Sequence, residues 1–364
     1  MLKEHWRQVQ RVLAMRLDNL GDVIMTGPAL RAVKETLPES HLILMVSPGA
    51  QSAARLLPPV DDVVTWCSLW QDLGKLPFDP AREFALIQTL QALRADAAII
   101  FTSFSQTPHA AGYACYLAGI PLRLGEPKDF GGGTLSDVPA ISSPHQAHQV
   151  ERNLRLVESV GFRTSDRSLA VRIPAEAQGR ARELLAQNGL RPGQPYVLLC
   201  PWTSCQARTY PRFEAVGRLW RRVSNLPLVV TGAPSDRERA PALIAAIGSG
   251  VVDLVGLTSF SELAALVADA CLVLTNNTAT MHLADATRTP QVVLFSGTEL
   301  KEQWAPRHGP SRLLSRPTLC QPCYQFTCLA GLACLDLRPE DVVAAGLDLL
   351  HEHGVSELAL EARA

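Results

Sequence analysis

The sequence contains no apolar run of the ~18 residues or more that a membrane-crossing helix requires. Its first ten residues, MLKEHWRQVQ, are polar and carry both signs of charge, without the apolar stretch and small-residue cleavage site of a secretion signal. A cytoplasmic protein is expected, either free or touching a membrane surface. Excess charge is also missing: 34 basic residues face 35 acidic ones, for a formal net charge of −1. A nucleic-acid-binding chain usually shows a strong basic surplus, so no nucleic-acid partner is expected. No internal repeat and no low-complexity tract is visible. The nine cysteines are an odd number, which in a cytoplasmic chain argues against a disulfide framework.

What is present is enough apolar material for two cores: 364 residues, 47% of them hydrophobic. Short apolar runs alternate with amphipathic stretches of helical length. The first half offers strands at RVLAMRL (from Arg11), HLILMV (from His41), DVVTW (from Asp62) and DAAIIF (from Asp96). Helical stretches between them include ALRAVKETL and AREFALIQTLQAL. HQVERNLRLVESVG then places Val150, Leu154, Val157 and Val160 on one face, and Gly161 closes that helix. The second half repeats the pattern with strands at YVLLC, LPLVVTG, VVDLVG, ACLVLTN and PQVVLFSG, followed by a final helix, DVVAAGLDLLHEH, and a loose tail. Such alternation builds parallel sheets from βαβ units. A polar run near Ser165, followed by Pro174, divides the chain into residues 1–173 and 174–364. Two Rossmann-like domains facing each other across a cleft are expected, with ligands beyond the C-terminal ends of the strands.

Four segments at such strand ends carry chemistry. In RLDNLGDVIMTGPAL a strand ends near Leu17, a tight turn passes Gly21, and a helix opens near Pro28. Asp22 is thereby set at the strand end, either as a general base for an acceptor hydroxyl or as an ordinary cap of a βα loop. In TNNTATMHLADATRTPQVVLFSGT a buried strand ends at Asn276-Asn277-Thr278 and a helix follows. The free N–H groups of Thr278, Ala279 and Thr280 and the helix dipole suit a diphosphate, and Thr278 is placed to cap the helix. His282 on that helix is either a ligand or a histidine satisfied in the core. In PWTSCQARTYPRF a polar loop carries Thr203, Ser204 and Arg208, the last either reaching a diphosphate or simply solvated. In LVVTGAPSDRERA, Ser235 or Asp236 caps the next helix, and Asp236 is also suited to a ribose or sugar hydroxyl.

Taken in order, these residues resemble glycosyltransferase family 9, the heptosyltransferases. The resemblance runs through Arg16, Gly21-Asp22-Val23 and Pro28-Ala29-Leu30, then AGYACYLAGIPLRLGEP and HQVERNLRLVESVGF. It continues through TNNTATMHLADATRTPQVVLFSGT and Gln303-Trp304-Ala305-Pro306, and spans about Val12 to Leu350. It implies the GT-B fold, an inverting mechanism, and no divalent metal at the phosphates. Asp22 matches the family's general base, with Arg16 and Gly21 on the acceptor side. The sequence departs from the family pattern at four positions. Arg208 stands where lysine is usual, Tyr210 where tryptophan is usual, Asn277 where many members have aspartate, and Ala279 where glycine is usual. The last change narrows the space for a phosphate at the backbone.

Cys320, Cys323, Cys328 and Cys334 form a C-x2-C-x4-C-x5-C cluster. It reads either as one structural zinc or iron site or as four reduced thiols that pack together. Some relatives carry a four-cysteine metal finger in this region.

The reading is an inverting glycosyltransferase that moves a sugar, heptose from ADP-heptose, onto a lipopolysaccharide-core or related glycan acceptor. Residues 1–173 hold the acceptor side and residues 174–364 the sugar nucleotide, at the cytoplasmic face of the inner membrane. Thr203, Ser204, Arg208, Asp236, Asn277, Thr278, Ala279, Thr280 and His282 line the donor, and catalysis requires no cofactor. Two rivals stand beside it. A sugar-nucleotide epimerase of the same fold needs further acid/base groups, and none is identified. A silent sugar-nucleotide-binding protein has no need of Asp22.

Overall fold

The computed structural model describes residues 1–355 and divides into two compact units after Arg172. The loose tail expected at the C-terminus lies outside the described residues. Each unit is a parallel α/β sheet.

In the first unit the strands are β1 (Arg11–Arg16), β2 (His41–Val46), β3 (Asp62–Thr65), β4 (Ala97–Ile100) and β5 (Leu122–Gly125). They lie in the order β3-β2-β1-β4-β5, with every pairing parallel. The helices are α1 (Leu20–Ile24), α2 (Gly27–Thr36), α3 (Gln51–Ala54), α4 (Pro80–Ala92), α5 (His109–Leu117) and α6 (Gln149–Glu158). Val12 to Met15 are buried without interruption, as a strand covered on both faces demands. The face expected for α6 is buried at Val150, Leu154, Val157 and Val160. Gly161 then reverses the chain at φ +110°, and any Cβ there would run into the backbone of Met1 and Leu2.

The second unit holds β6 (Val197–Cys200), β7 (Leu228–Val230), β8 (Val251–Asp253), β9 (Leu272–Asn276), β10 (Gln291–Leu294) and β11 (Ser311–Leu314). Their order is β11-β10-β9-β6-β7-β8, again all parallel. The helices are α7 (Ala175–Gln187), α8 (Phe213–Val223), α9 (Ala240–Ile247), α10 (Phe260–Asp269), α11 (Ala279–Thr287), α12 (Lys301–Trp304) and α13 (Pro339–Glu352). α13 buries Val342, Val343, Leu349 and Leu350 in the same core as Trp220 of α8.

Two expectations are corrected. The sheets carry one more strand each than the sequence patterns showed, β5 and β11. Both are short, and β11 is only half-buried along its length, so its residues lack the continuous apolar run of a central strand. The segment after β1 is not a tight turn leading to one helix at Pro28. It is a separate one-turn helix, α1, followed by α2, with the Asp22 carboxylate accepting from the Asn19 N–H at the start of α1. No helix among the described residues is long and apolar enough to cross a membrane.

In each sheet the chain order reverses once, between β1 and β4 and between β6 and β9. Loops diverge at such points and leave room beyond the C-terminal strand ends.

Candidate active site

In the first unit the loops that leave β1 and β4 converge on Arg16, the last residue of β1. Its guanidinium is wholly buried. Nη2 donates to Asp22 Oδ1 at 2.7 Å and to Ser103 Oγ at 2.9 Å, while Nε lies 2.8 Å from Asp18 Oδ2. Asp22 Oδ2 accepts a long 3.3 Å bond from the Asn19 N–H at the start of α1. Asp22 therefore caps α1 and also pairs with a buried cation. Its side chain keeps 11% of its surface exposed.

Arg16 and Gly21 were expected to meet the acceptor, and both are buried instead. The guanidinium is spent on two carboxylates, and Gly21 is packed into the first turn of α1. What sequence reasoning missed lies on other loops. Gln106 Nε2 donates to Asp18 Oδ1 at 2.6 Å, and Gln71 Nε2 reaches the same oxygen at 3.4 Å. Lys128 Nζ donates to the Ser103 carbonyl at 2.6 Å. Partial burial, with Arg152 and Arg16 nearby, brings the Lys128 ammonium down to about 8. From α6, Gln149 donates to the Thr102 carbonyl at 3.1 Å and Asn153 to the Met25 carbonyl at 3.1 Å, tying the ends of β4 and α1 together. None of these contacts has a local sequence signature, because each joins residues far apart in the chain.

In the second unit the loops after β6 and β9 are clamped by one side chain. Asn276 donates to the Pro201 carbonyl at 2.9 Å and accepts from the Tyr210 N–H at 2.9 Å. This fixes the loop that carries Arg208 beside the start of α11. Arg208 is neither free nor merely solvated. Nη2 pairs with Glu299 Oε1 at 2.7 Å and Nε donates to Thr298 Oγ1 at 3.2 Å, both on the loop after β10. Glu299 was not singled out by the sequence.

Asn277 is buried. Its Oδ1 accepts from the N–H and the hydroxyl of Ser296, each at 3.2 Å, while its Nδ2 has no hydrogen-bond partner. Thr278 sits at the N-cap of α11 but makes no side-chain cap, contrary to expectation. The first-turn amides of α11 at Ala279 and Thr280 follow it, and the Thr280 side chain itself is buried against Cys200. Thr203 is consumed locally: its hydroxyl donates to the Cys205 carbonyl and lies 3.0 Å from Thr209 Oγ1. Ser204 beside it is exposed. His282 is buried, and burial pushes its imidazole down to about 4, against the opposing pull of Asp285. It is a neutral core residue near physiological pH. Asp236 accepts from the Ala233 N–H at 2.8 Å and pairs with Arg239, so it caps the turn Pro234–Asp236 rather than a longer helix. Arg239 lies over the Trp202 ring, 5.3 Å from its centroid.

The four clustered cysteines were expected to be able to close on one metal. Among the described residues, no three His, Cys, Asp or Glu side chains are grouped so as to hold a metal ion. The thiols turn to their own surroundings instead. Cys320 is exposed beside Thr318 Oγ1 at 3.4 Å, and Cys328 Sγ accepts from the N–H groups of Ala330 and Leu332, both at 3.3 Å. Cys334 is buried.

These features can be set beside known proteins. The sequence model of glycosyltransferase family 9 (heptosyltransferase) matches residues 84–333. Lipopolysaccharide heptosyltransferase 2 of Salmonella typhimurium is 21% identical over 359 residues, covering 95% of this chain and 100% of that protein. A family 9 glycosyltransferase structure from Veillonella parvula superposes with a TM-score of 0.80 at 18% identity, covering 94% of this chain and 98% of that one. The structure of the E. coli ADP-heptose lipopolysaccharide heptosyltransferase II gives 0.74 at 19% identity, covering 94% and 99%. The two parallel-sheet units are those of the GT-B fold, and the chain belongs to glycosyltransferase family 9, the heptosyltransferases.

Proposed function

We propose that this glycosyltransferase moves heptose from ADP-heptose onto a hydroxyl of a lipopolysaccharide-core or related glycan, with inversion at the anomeric carbon. The observation that carries the reading is the state of Asp22. One of its oxygens is fixed by the buried Arg16, and the other accepts only a long bond from Asn19. That second oxygen is the one suited to take a proton. The acceptor hydroxyl gives its proton to Asp22 as its oxygen bonds to the anomeric carbon. The bond from that carbon to the phosphate oxygen breaks, and its electron pair leaves with the diphosphate.

In the second unit, the amides of Ala279 and Thr280, the unpartnered Asn277 Nδ2 and the Arg208 guanidinium are assigned to the leaving diphosphate. Donors aimed at charge that grows during the reaction stabilise the transition state more than the bound substrate. Asp236, which with the Trp202 ring closes around Gly232 just beyond β7, is assigned to the nucleoside. ADP-heptose as donor draws support from the named activity of the E. coli structural relative.

Asp22→Asn tests the reading. Release of ADP that depends on acceptor should fall by roughly 10²–10⁴, while affinity for ADP changes by no more than a few fold. A variant that keeps most of its rate near neutral pH reduces Asp22 to a helix cap. A screen of ADP-, UDP- and GDP-sugars with the unaltered protein checks the donor, and release of UDP or GDP alone would overturn the assignment.

A further inference from the structure

Arg16 is a buried cation with two carboxylates on it. Asp18 and Asp22 approach different nitrogens of the same guanidinium, at 2.8 and 2.7 Å; the Asp22 contact is a hydrogen bond from Nη2, the Asp18 contact is an ion pair without hydrogen-bond geometry, and Nη1 is buried without a hydrogen-bond partner. The Asp18 side chain is slightly more buried than that of Asp22, at 8% exposed against 11%. Its far oxygen is anchored by Gln106 and Gln71, so the carboxylate is held on Arg16 from both sides. This arrangement is more than a helix cap needs, since Asp22 accepts the Asn19 N–H of α1 without Asp18.

A carboxylate paired alone with a buried arginine is held firmly in its charged form and makes a poor base. A second carboxylate on the same cation offsets that effect. We propose that Asp18 is a positioning residue for Asp22: by sharing the Arg16 guanidinium it takes up part of the arginine's charge while Arg16 orients Asp22 for the acceptor's proton. The inference rests on the reading of Asp22 as general base. Burial raises the Asp18 carboxyl above the ordinary range, with Arg16 opposing and Asp22 adding to it. The other charges around Arg16 are Lys128 and the Arg152–Glu126 pair, at 3.5 Å. Glu126 pairs with Arg152, so Asp18 is the one further carboxylate, among the described residues, paired directly with Arg16 besides Asp22.

Asp18→Asn keeps an acceptor for Gln106 and removes the charge. Arg16 then leans on Asp22 alone. The acid limb of the kcat profile should move down by about one pH unit, as expected for an aspartate left with an arginine. At neutral pH kcat should fall roughly tenfold, with the KM for the sugar nucleotide within about twofold; general-base contributions of this kind are on the order of 10²–10⁴ in full. In an Asp22→Asn background the same change should cost nothing further, because Asp18 acts only through Asp22. If Asp18→Asn does not yield folded protein, Gln106→Leu removes the bond that favours the charged Asp18 and should move the acid limb in the same direction by less. An unmoved acid limb with kcat retained, or additive losses in the double variant, overturns the inference while leaving Asp22 as base. Activity retained in Asp22→Asn itself overturns both.

Discussion

Arg208 enters the proposed chemistry already engaged. Its pair with Glu299 at 2.7 Å is less than a third exposed on either side, so a diphosphate has to compete with a carboxylate for the same guanidinium. Arg208→Ala removes a charge-assisted contact of about 1.5–3 kcal/mol, or roughly 10–150-fold in affinity. The loss should fall toward the upper end, because Glu299 is left partly buried with its charge facing the phosphates. Arg208→Lys keeps the charge but not the planar fork, and should recover much of the loss. Glu299→Gln should do the opposite and tighten diphosphate binding by about threefold, the order of a partly exposed ion pair. Titration calorimetry with ADP and AMP reads all three variants. The monophosphate should lose less than the diphosphate in Arg208→Ala. Equal losses for both nucleotides would place Arg208 at the nucleoside end. Weaker ADP binding in Glu299→Gln would show that the carboxylate orients the arginine rather than competing for it.

Three further outcomes follow from particular side chains. His282 is buried neutral, with its imidazole near 4 against 6.5 when unfolded. Its share of stability is present above pH 6.5 and is lost as pH falls toward 4, to the extent of about 3 kcal/mol. Denaturant titrations of His282→Gln should show a shallower loss across that window, and an unchanged slope would refute the assignment. A Cβ at Gly232 would lie 2.7 Å from the Trp202 ring and 2.9 Å from Asp236 Oδ2. Gly232→Ala should therefore cost about 1–3 kcal/mol and weaken nucleotide binding, and a variant equal to the parent in both would refute the crowding. Thiol labelling of folded, metal-free protein should modify exposed Cys320 first and Cys334 last, since burial raises the Cys334 thiol. Joint protection of all four, released by a chelator along with about one metal per chain, would overturn the separate placement of these thiols.

The sequence alone determined the α/β class, the parallel sheets and most of the strands. It also showed which loops leave the C-terminal ends of the strands, because hydrophobic periodicity and the residues at strand ends are local properties of the chain. Val12 to Met15 read as a buried strand, and α6 showed its buried face at the expected spacing, because both patterns lie within one segment. The order TNNTATMH marked a helix opening directly after a buried strand for the same reason. Tertiary structure decided how each charge is used. Arg16 and Arg208 look alike in the sequence, as cations at strand ends. Folding buries the first between Asp18 and Asp22 and gives the second to Glu299, 91 residues further on. Asn276 becomes a clamp only because β6 and β9 are neighbours in the sheet. Whether a polar residue serves as a ligand, a cap or a counter-ion depends on its partners across the fold and on how far water is excluded from them, and neither is encoded in the residues next to it.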